Sequence, residues 1–91
     1  MQFVWMGFIK EGAEPIPQEV NAESNEFLSQ PFLKIQSVGP LCDDAGRRAG
    51  MLMIFAADDR GAAEALVENS PYRRAGIYER YQLYEFRDEI G

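Results

Sequence analysis

The chain has 91 residues, 46% hydrophobic and 26% charged, with fifteen Asp and Glu against nine Lys and Arg, giving a formal net charge of −6. A chain of this length is a single domain, residues 1–91, that buries only about 60–65% of its unfolded surface, so its stability is marginal unless another surface adds to it. The acidic balance argues against a nucleic-acid partner, whose phosphates demand a surplus of cations, and one cysteine with no histidine leaves neither an internal disulfide nor a transition-metal set.

Phe3 to Ile9 is rich in aromatic and apolar residues and stops at Lys10-Glu11-Gly12, which reads as a first strand. The segment has no basic leading region and is too short for a signal sequence. With no apolar run near the ~18–20 residues of a membrane span, the reading is a cytoplasmic protein. Pro15 and Pro17 mark a loop. From Gln18 to Gln30 the apolar residues Val20, Phe27 and Leu28 recur at helical spacing, and Pro31 ends that helix. Phe32, Leu33 and Ile35 are expected to form a last short turn before the chain extends through Gln36 to Leu41.

Cys42 to Gly50 is polar, with Gly46 and Gly50, and reads as a hairpin loop leading into an apolar strand from Met51 to Ala57. Asp58 or Asp59 is positioned to cap a helix running to about Glu68, with Ala62, Ala65 and Leu66 on its inward face. Ser70-Pro71-Tyr72 breaks that helix, Gly76 closes a short turn, and Ile77 to Phe86 is a long final strand. The order βαββαβ is that of an α+β, ferredoxin-like domain.

In this order both helices cover one face of a four-stranded sheet, and a solvated second face should show polar residues at alternate positions. Val4, Met6 and Phe8 on the first strand, and Leu52 and Ile54 on the third, are apolar instead. A second copy of the same sheet is the simplest cover, since most soluble oligomers are two-fold symmetric homomers. The expectation is a face-to-face homodimer.

Ser37-Val38-Gly39-Pro40, the glycine-bearing loop, Gly50 to Ala57, Ala62-Ala63-Glu64-Ala65 and Ser70-Pro71-Tyr72-Arg73-Arg74-Ala75-Gly76-Ile77-Tyr78-Glu79 together resemble the YciI (YCII-related) family. The Pro-Tyr-x-x-Ala-Gly-Ile-Tyr-Glu run is the most specific part. The resemblance implies a dimeric α/β-barrel, and hydrolase- or lyase-like chemistry resting on a His early in the first helix and the Asp of an Asp-Pro dipeptide. This chain has Ser70 before Pro71, and Ser24 or, in the other alignment, Ala22 at the His position. Neither a serine hydroxyl nor a methyl group acts as a base near neutral pH.

Ser24, Ser70, Tyr72 and Glu79 are the candidate ligand-binding residues, and each has a plainer explanation. Ser24 shares a helical face with Val20, Phe27 and Leu28, where its hydroxyl either meets a ligand or bonds a backbone carbonyl. Ser70 before a proline is ordinary turn chemistry. Tyrosines such as Tyr72 bury the ring and keep the hydroxyl hydrogen-bonded. Glu79 alternates with Ile77, Tyr81 and Leu83, so a regular strand places its carboxylate among apolar groups, where burial suits it to general-base work. A bulge, or pairing with Arg73, Arg74 or Arg80, would remove that role.

Asp43-Asp44 and Asp58-Asp59 read as loop and cap residues, with no metal and no cofactor expected. The favoured function is binding of a small molecule between helices and sheet, the family's catalytic pair having been lost. The alternative is a cofactor-free lyase or isomerase acting on a small aromatic or lactone substrate, with Glu79 as base.

Overall fold

Strand β1 (Gln2–Ile9) alternates strictly: Phe3, Trp5 and Gly7 are buried, and Val4, Met6 and Phe8 between them are half-buried. The computed structural model describes residues 1–10, 18–30 and 34–89, and of Tyr72 the backbone only. After β1 come α1 (Gln18–Leu28), β2 (Lys34–Cys42), β3 (Arg48–Ala56), α2 (Arg60–Glu68), the single turn α3 (Pro71–Arg74) and β4 (Tyr78–Phe86). The four strands form one antiparallel sheet in the order β2-β3-β1-β4. This is the ferredoxin-like βαββαβ arrangement.

The register explains which side chains meet. Trp5 lies opposite Met53 and Leu83, and Phe3 opposite Phe55. Because directly paired residues share a face, these form the floor of the core beneath the helices. Phe3 and Phe55 are almost fully buried, their rings 6.1 Å apart, and Ala63 and Val67 of α2 complete the cluster with Ile77 and Tyr78.

The other face carries Val4, Met6, Phe8, Leu52, Ile54 and Phe86, all half-buried, with Tyr84 52% exposed. No element of the described chain lies over them.

Several local expectations are corrected. Ile35 is not in a turn but is the second residue of β2, whose bulge between Ile35 and Ser37 adapts an edge strand to the twist of the sheet. Phe32 and Leu33 lie outside the described residues, as does Pro31. Strand β3 starts three residues early, at Arg48, because the loop needs only five residues. Asp43 organises it, accepting bonds from the Ala45 and Arg47 amides at 2.9 Å each, while Gly46 takes the left-handed conformation, φ +81°.

In α2 the inward residues are Ala63 and Val67, four apart, with Leu66 partly buried beside them, whereas Ala62 and Ala65 face solvent. Alanine fits either face of a helix, so small residues cannot set its rotational phase. The cap sets where the helix starts: Asp59, in extended conformation, accepts from the Ala62 amide at 2.8 Å. Asp59→Ala is expected to cost about 1 kcal/mol, read as a lower denaturation midpoint at unchanged slope. Exposed Asp58, which makes no such bond, should tolerate alanine within about 0.5 kcal/mol.

Candidate functional site

Trp5 anchors a small apolar cavity among the described residues. Its indole meets the Tyr78 ring edge-on, with centroids 5.0 Å apart at 83°. Gly7 makes room for this stack: a Cβ there would come within 2.7 Å of Trp5 Cη2 and 2.8 Å of Tyr78 Cδ1. The Tyr78 hydroxyl in turn reaches Met51 Sδ at 3.8 Å. Gly7, Tyr78 and Met51, from three strands, therefore fix the indole plane, and the cavity is bounded by Trp5, Met51 and Met53 below and by Phe27, Leu28 and Val67 at its sides.

Two serines complete the wall. Ser24 is the one buried residue of α1, 3% exposed, facing the sheet between Val20 and Leu28. Ser70 lies across from it at the junction of α2 and α3. It occupies the N-cap position of α3, yet its side chain makes no capping bond, so its hydroxyl is not consumed by the turn. The chain thus brings together, from positions 46 residues apart in sequence, the two serines singled out above. The cavity volume is about 10 Å³, room for about one water.

What sequence reasoning missed is Trp5. It reads as one more apolar strand residue, but its Nε1 is buried and has no hydrogen-bond partner among the described residues. Buried indole N–H groups normally find an acceptor. The available signal was the lone tryptophan of the chain placed mid-strand, where a donor has no neighbour on its own element.

Glu79 lies outside this cavity. The pairing runs Phe8 to Arg80 and then Ile9 to Tyr78, so Glu79 is the extra residue of a bulge and is exposed. The regular-strand phase that would have set its carboxylate among apolar groups does not hold. Tyr78 takes the inward place instead. Of the neighbouring cations, Arg73 donates to the Tyr81 hydroxyl at 2.6 Å and stacks 4.3 Å from that ring, and Arg80 lies 4.7 Å over Phe8. Tyr72 is the second residue of α3, and its side chain is outside the described set.

No ionisable side chain lines the cavity. Charged residues border a neighbouring outer groove, bounded by Glu23, Glu26, Phe27, Gln30, Pro71 and Arg74. Phe27 borders both spaces. Elsewhere, the hydrogen bond from Arg87 holds the Glu85 carboxyl below its ordinary range, near the end of β4 and away from the cavity. No group of three or more Cys, Asp or Glu among the described residues is placed to hold a metal ion. No helix of those residues is long and apolar enough to cross a membrane.

A small ferredoxin-like domain with an apolar, serine-bearing cavity under its helices is the class that fold and site define. Residues 1–87 match the model of the YCII-related domain, and the chain belongs to that family. No curated protein matches it. Among solved structures it is similar to the 5-chloro-2-hydroxyhydroquinone dehydrochlorinase TftG from Burkholderia phenoliruptrix AC1100, solved in complex with 2,5-dihydroxybenzoquinone. That likeness has a TM-score of 0.84 at 22% identity and covers 96% of this chain and 94% of that one. It is also similar to an uncharacterized NIPSNAP domain protein from Burkholderia xenovorans, with a TM-score of 0.55 at 16% identity over 100% and 98% of the two chains. Rv0793 from Mycobacterium tuberculosis follows, with a TM-score of 0.51 at 13% identity over 99% and 97%. Likenesses at these identities establish the fold.

Proposed function

We propose that the protein is a binding protein for a small molecule, one polar end of which enters the cavity between α1, α2 and the sheet, and that it acts as a homodimer joined through the outer sheet face. The observation that carries the binding reading is the convergence of Ser24 and Ser70 on one cavity floored by Trp5, Met51 and Met53. Both hydroxyls can donate and accept, and the rest of the wall is apolar, the usual composition of a small-ligand site. The ligand in the dehydrochlorinase structure, a small oxygenated ring, is compatible with such a wall. Nothing on this wall titrates near neutrality, so the family's acid–base chemistry has no agent here. Glu79, exposed on its bulge, offers none either.

The test uses the methionines as reporters. Met51 and Met53 line the cavity, whereas Met1 is exposed and Met6 lies on the opposite sheet face. Phenol titrated into protein carrying carbon-13 methionine methyls is expected to shift Met51 and Met53 saturably and to leave Met1 and Met6 unmoved. Ser24→Ala, which removes the hydroxyl and adds no bulk to the cavity, should weaken that binding by about tenfold, the loss of one buried hydrogen bond. Shifts confined to Met6, or no saturable shift, would refute the cavity as the binding site.

A further inference from the structure

Trp5 contributes a donor that nothing in the described protein uses. Its Nε1 is buried without a partner, the residue is 2% exposed, and it shares an oxygen-sized cavity with Ser24 and Ser70. Resting on the cavity being the ligand site, we infer that Trp5 Nε1 and the two serine hydroxyls form a seat for one uncharged oxygen atom of the ligand, a carbonyl, ether or phenol oxygen.

Three features carry this. An indole N–H only donates, so the group facing it must be an acceptor. The cavity volume of about 10 Å³ fits one oxygen-sized group, and in the empty protein a water can sit there on the same partners. No Lys or Arg lines the wall, so a carboxylate or phosphate would lose its hydration without a counter-charge, a cost that a few neutral hydrogen bonds do not offset. The outer groove sets Glu23 and Glu26 against the single cation Arg74, so its balance also disfavours anions. We place the apolar remainder of the ligand past Phe27, the half-buried ring that borders both cavity and groove. Entry therefore requires Phe27 to swing outward. Trp5 is thus a specificity-determining residue supplied by the sheet, while α1 and the turn before α3 supply the serines.

Three rings of similar size separate the possibilities: cyclohexanone, methylenecyclohexane and cyclohexanecarboxylate. Each is titrated into the full chain, labelled with nitrogen-15 and with carbon-13 methionine methyls. The chain has one tryptophan, so the spectrum has one indole N–H signal. Cyclohexanone is expected to shift Met51 and Met53 and to move that indole proton downfield as its carbonyl accepts the bond. Methylenecyclohexane should bind at least about tenfold more weakly, and the carboxylate should leave both sets of signals unmoved. Trp5→Phe keeps an aromatic wall without the donor and should bind the ketone and the hydrocarbon alike. Equal affinity of the wild-type protein for those two rings, an unmoved indole proton on ketone binding, or tightest binding of the carboxylate would overturn the seat while leaving the cavity as a binding site. If none of the rings moves Met51 or Met53, the cavity reading itself fails. The wild-type indole signal decides the matter even if Trp5→Phe does not fold.

Discussion

Gly50→Ala is expected to destabilise the domain by about 3 kcal/mol, at the upper end of what overpacking costs, and to lower its melting temperature by roughly 12–24 °C for a domain of this size. Gly50 lies in β3 opposite Phe8 of β1. A Cβ built on it runs into the Gly7 carbonyl oxygen and sits 3.3 Å from the Phe8 Cα. Both are backbone atoms of the central strand, which is hydrogen-bonded to β3 on one side and β4 on the other. A side chain could rotate away, but this backbone can yield only by loosening a ladder. Gly39→Ala supplies the contrast: nothing lies within 4 Å of a Cβ there and its φ is not positive, so the change should stay within about 0.5 kcal/mol. Equal thermal midpoints for the two variants would show that the β1–β3 pairing at Gly50 has slack that the structure does not contain.

The architecture was legible in the sequence because its signals are strong ones. Apolar runs bounded by polar turns marked the strands, and Asp59, Pro71 and Gly76 punctuated the helices at the places where the chain turns. The features that escaped are those set by neighbours distant in sequence. Counting twos places Glu79 on an apolar face only if the strand is regular, and one bulged residue between Tyr78 and Arg80 is enough to send it outward. A period-two argument cannot survive a bulge, and a bulge leaves no residue signature when the extra residue is an ordinary glutamate. The inward face of α2 is legible only at Leu66 for a related reason: with alanine at 62, 63 and 65, only contact with the sheet selects Ala63. Of the cavity's lining, Ser24 is legible from its helical face, and Ser70 from the resemblance of Ser70-Pro71 to the family's Asp-Pro. The donor of Trp5 is not, because an unpartnered N–H becomes apparent only when everything packed around it is known.

Leu52→Asp is expected to convert a dimer to monomers. Leu52 lies at the centre of the outer face, paired with Met6 of β1 and Gly39 of β2, with Val4, Ile54 and Phe8 around it. These side chains are half-buried because they shield one another and, at Phe8, because the Arg80 guanidinium lies 4.7 Å over the ring; no helix of the described chain covers them. An open antiparallel face in water normally alternates polar residues with the buried ones; this one does not, and a two-fold copy would cover it with its own Val4, Met6, Leu52 and Ile54. Two-fold symmetry also doubles the effect of a substitution, since each dimer would bury two unpaired aspartates. At a cost of about 3 kcal/mol or more, the dissociation constant should rise by over 100-fold. Light scattering at micromolar concentration is expected to give twice the 10.3 kDa chain mass for the wild-type protein and the chain mass itself for the variant. The helix-side core, Phe3, Trp5 and Phe55, is untouched by the change. Should the separated chain nonetheless unfold, the wild-type protein supplies a second measure, because a melting temperature that rises with protein concentration is the signature of a fold coupled to association. A wild-type protein that scatters as a single chain, with a melting temperature independent of concentration, would mean that water covers this face, and that Val4, Met6, Leu52 and Ile54 must then be explained as the surface of some other encounter.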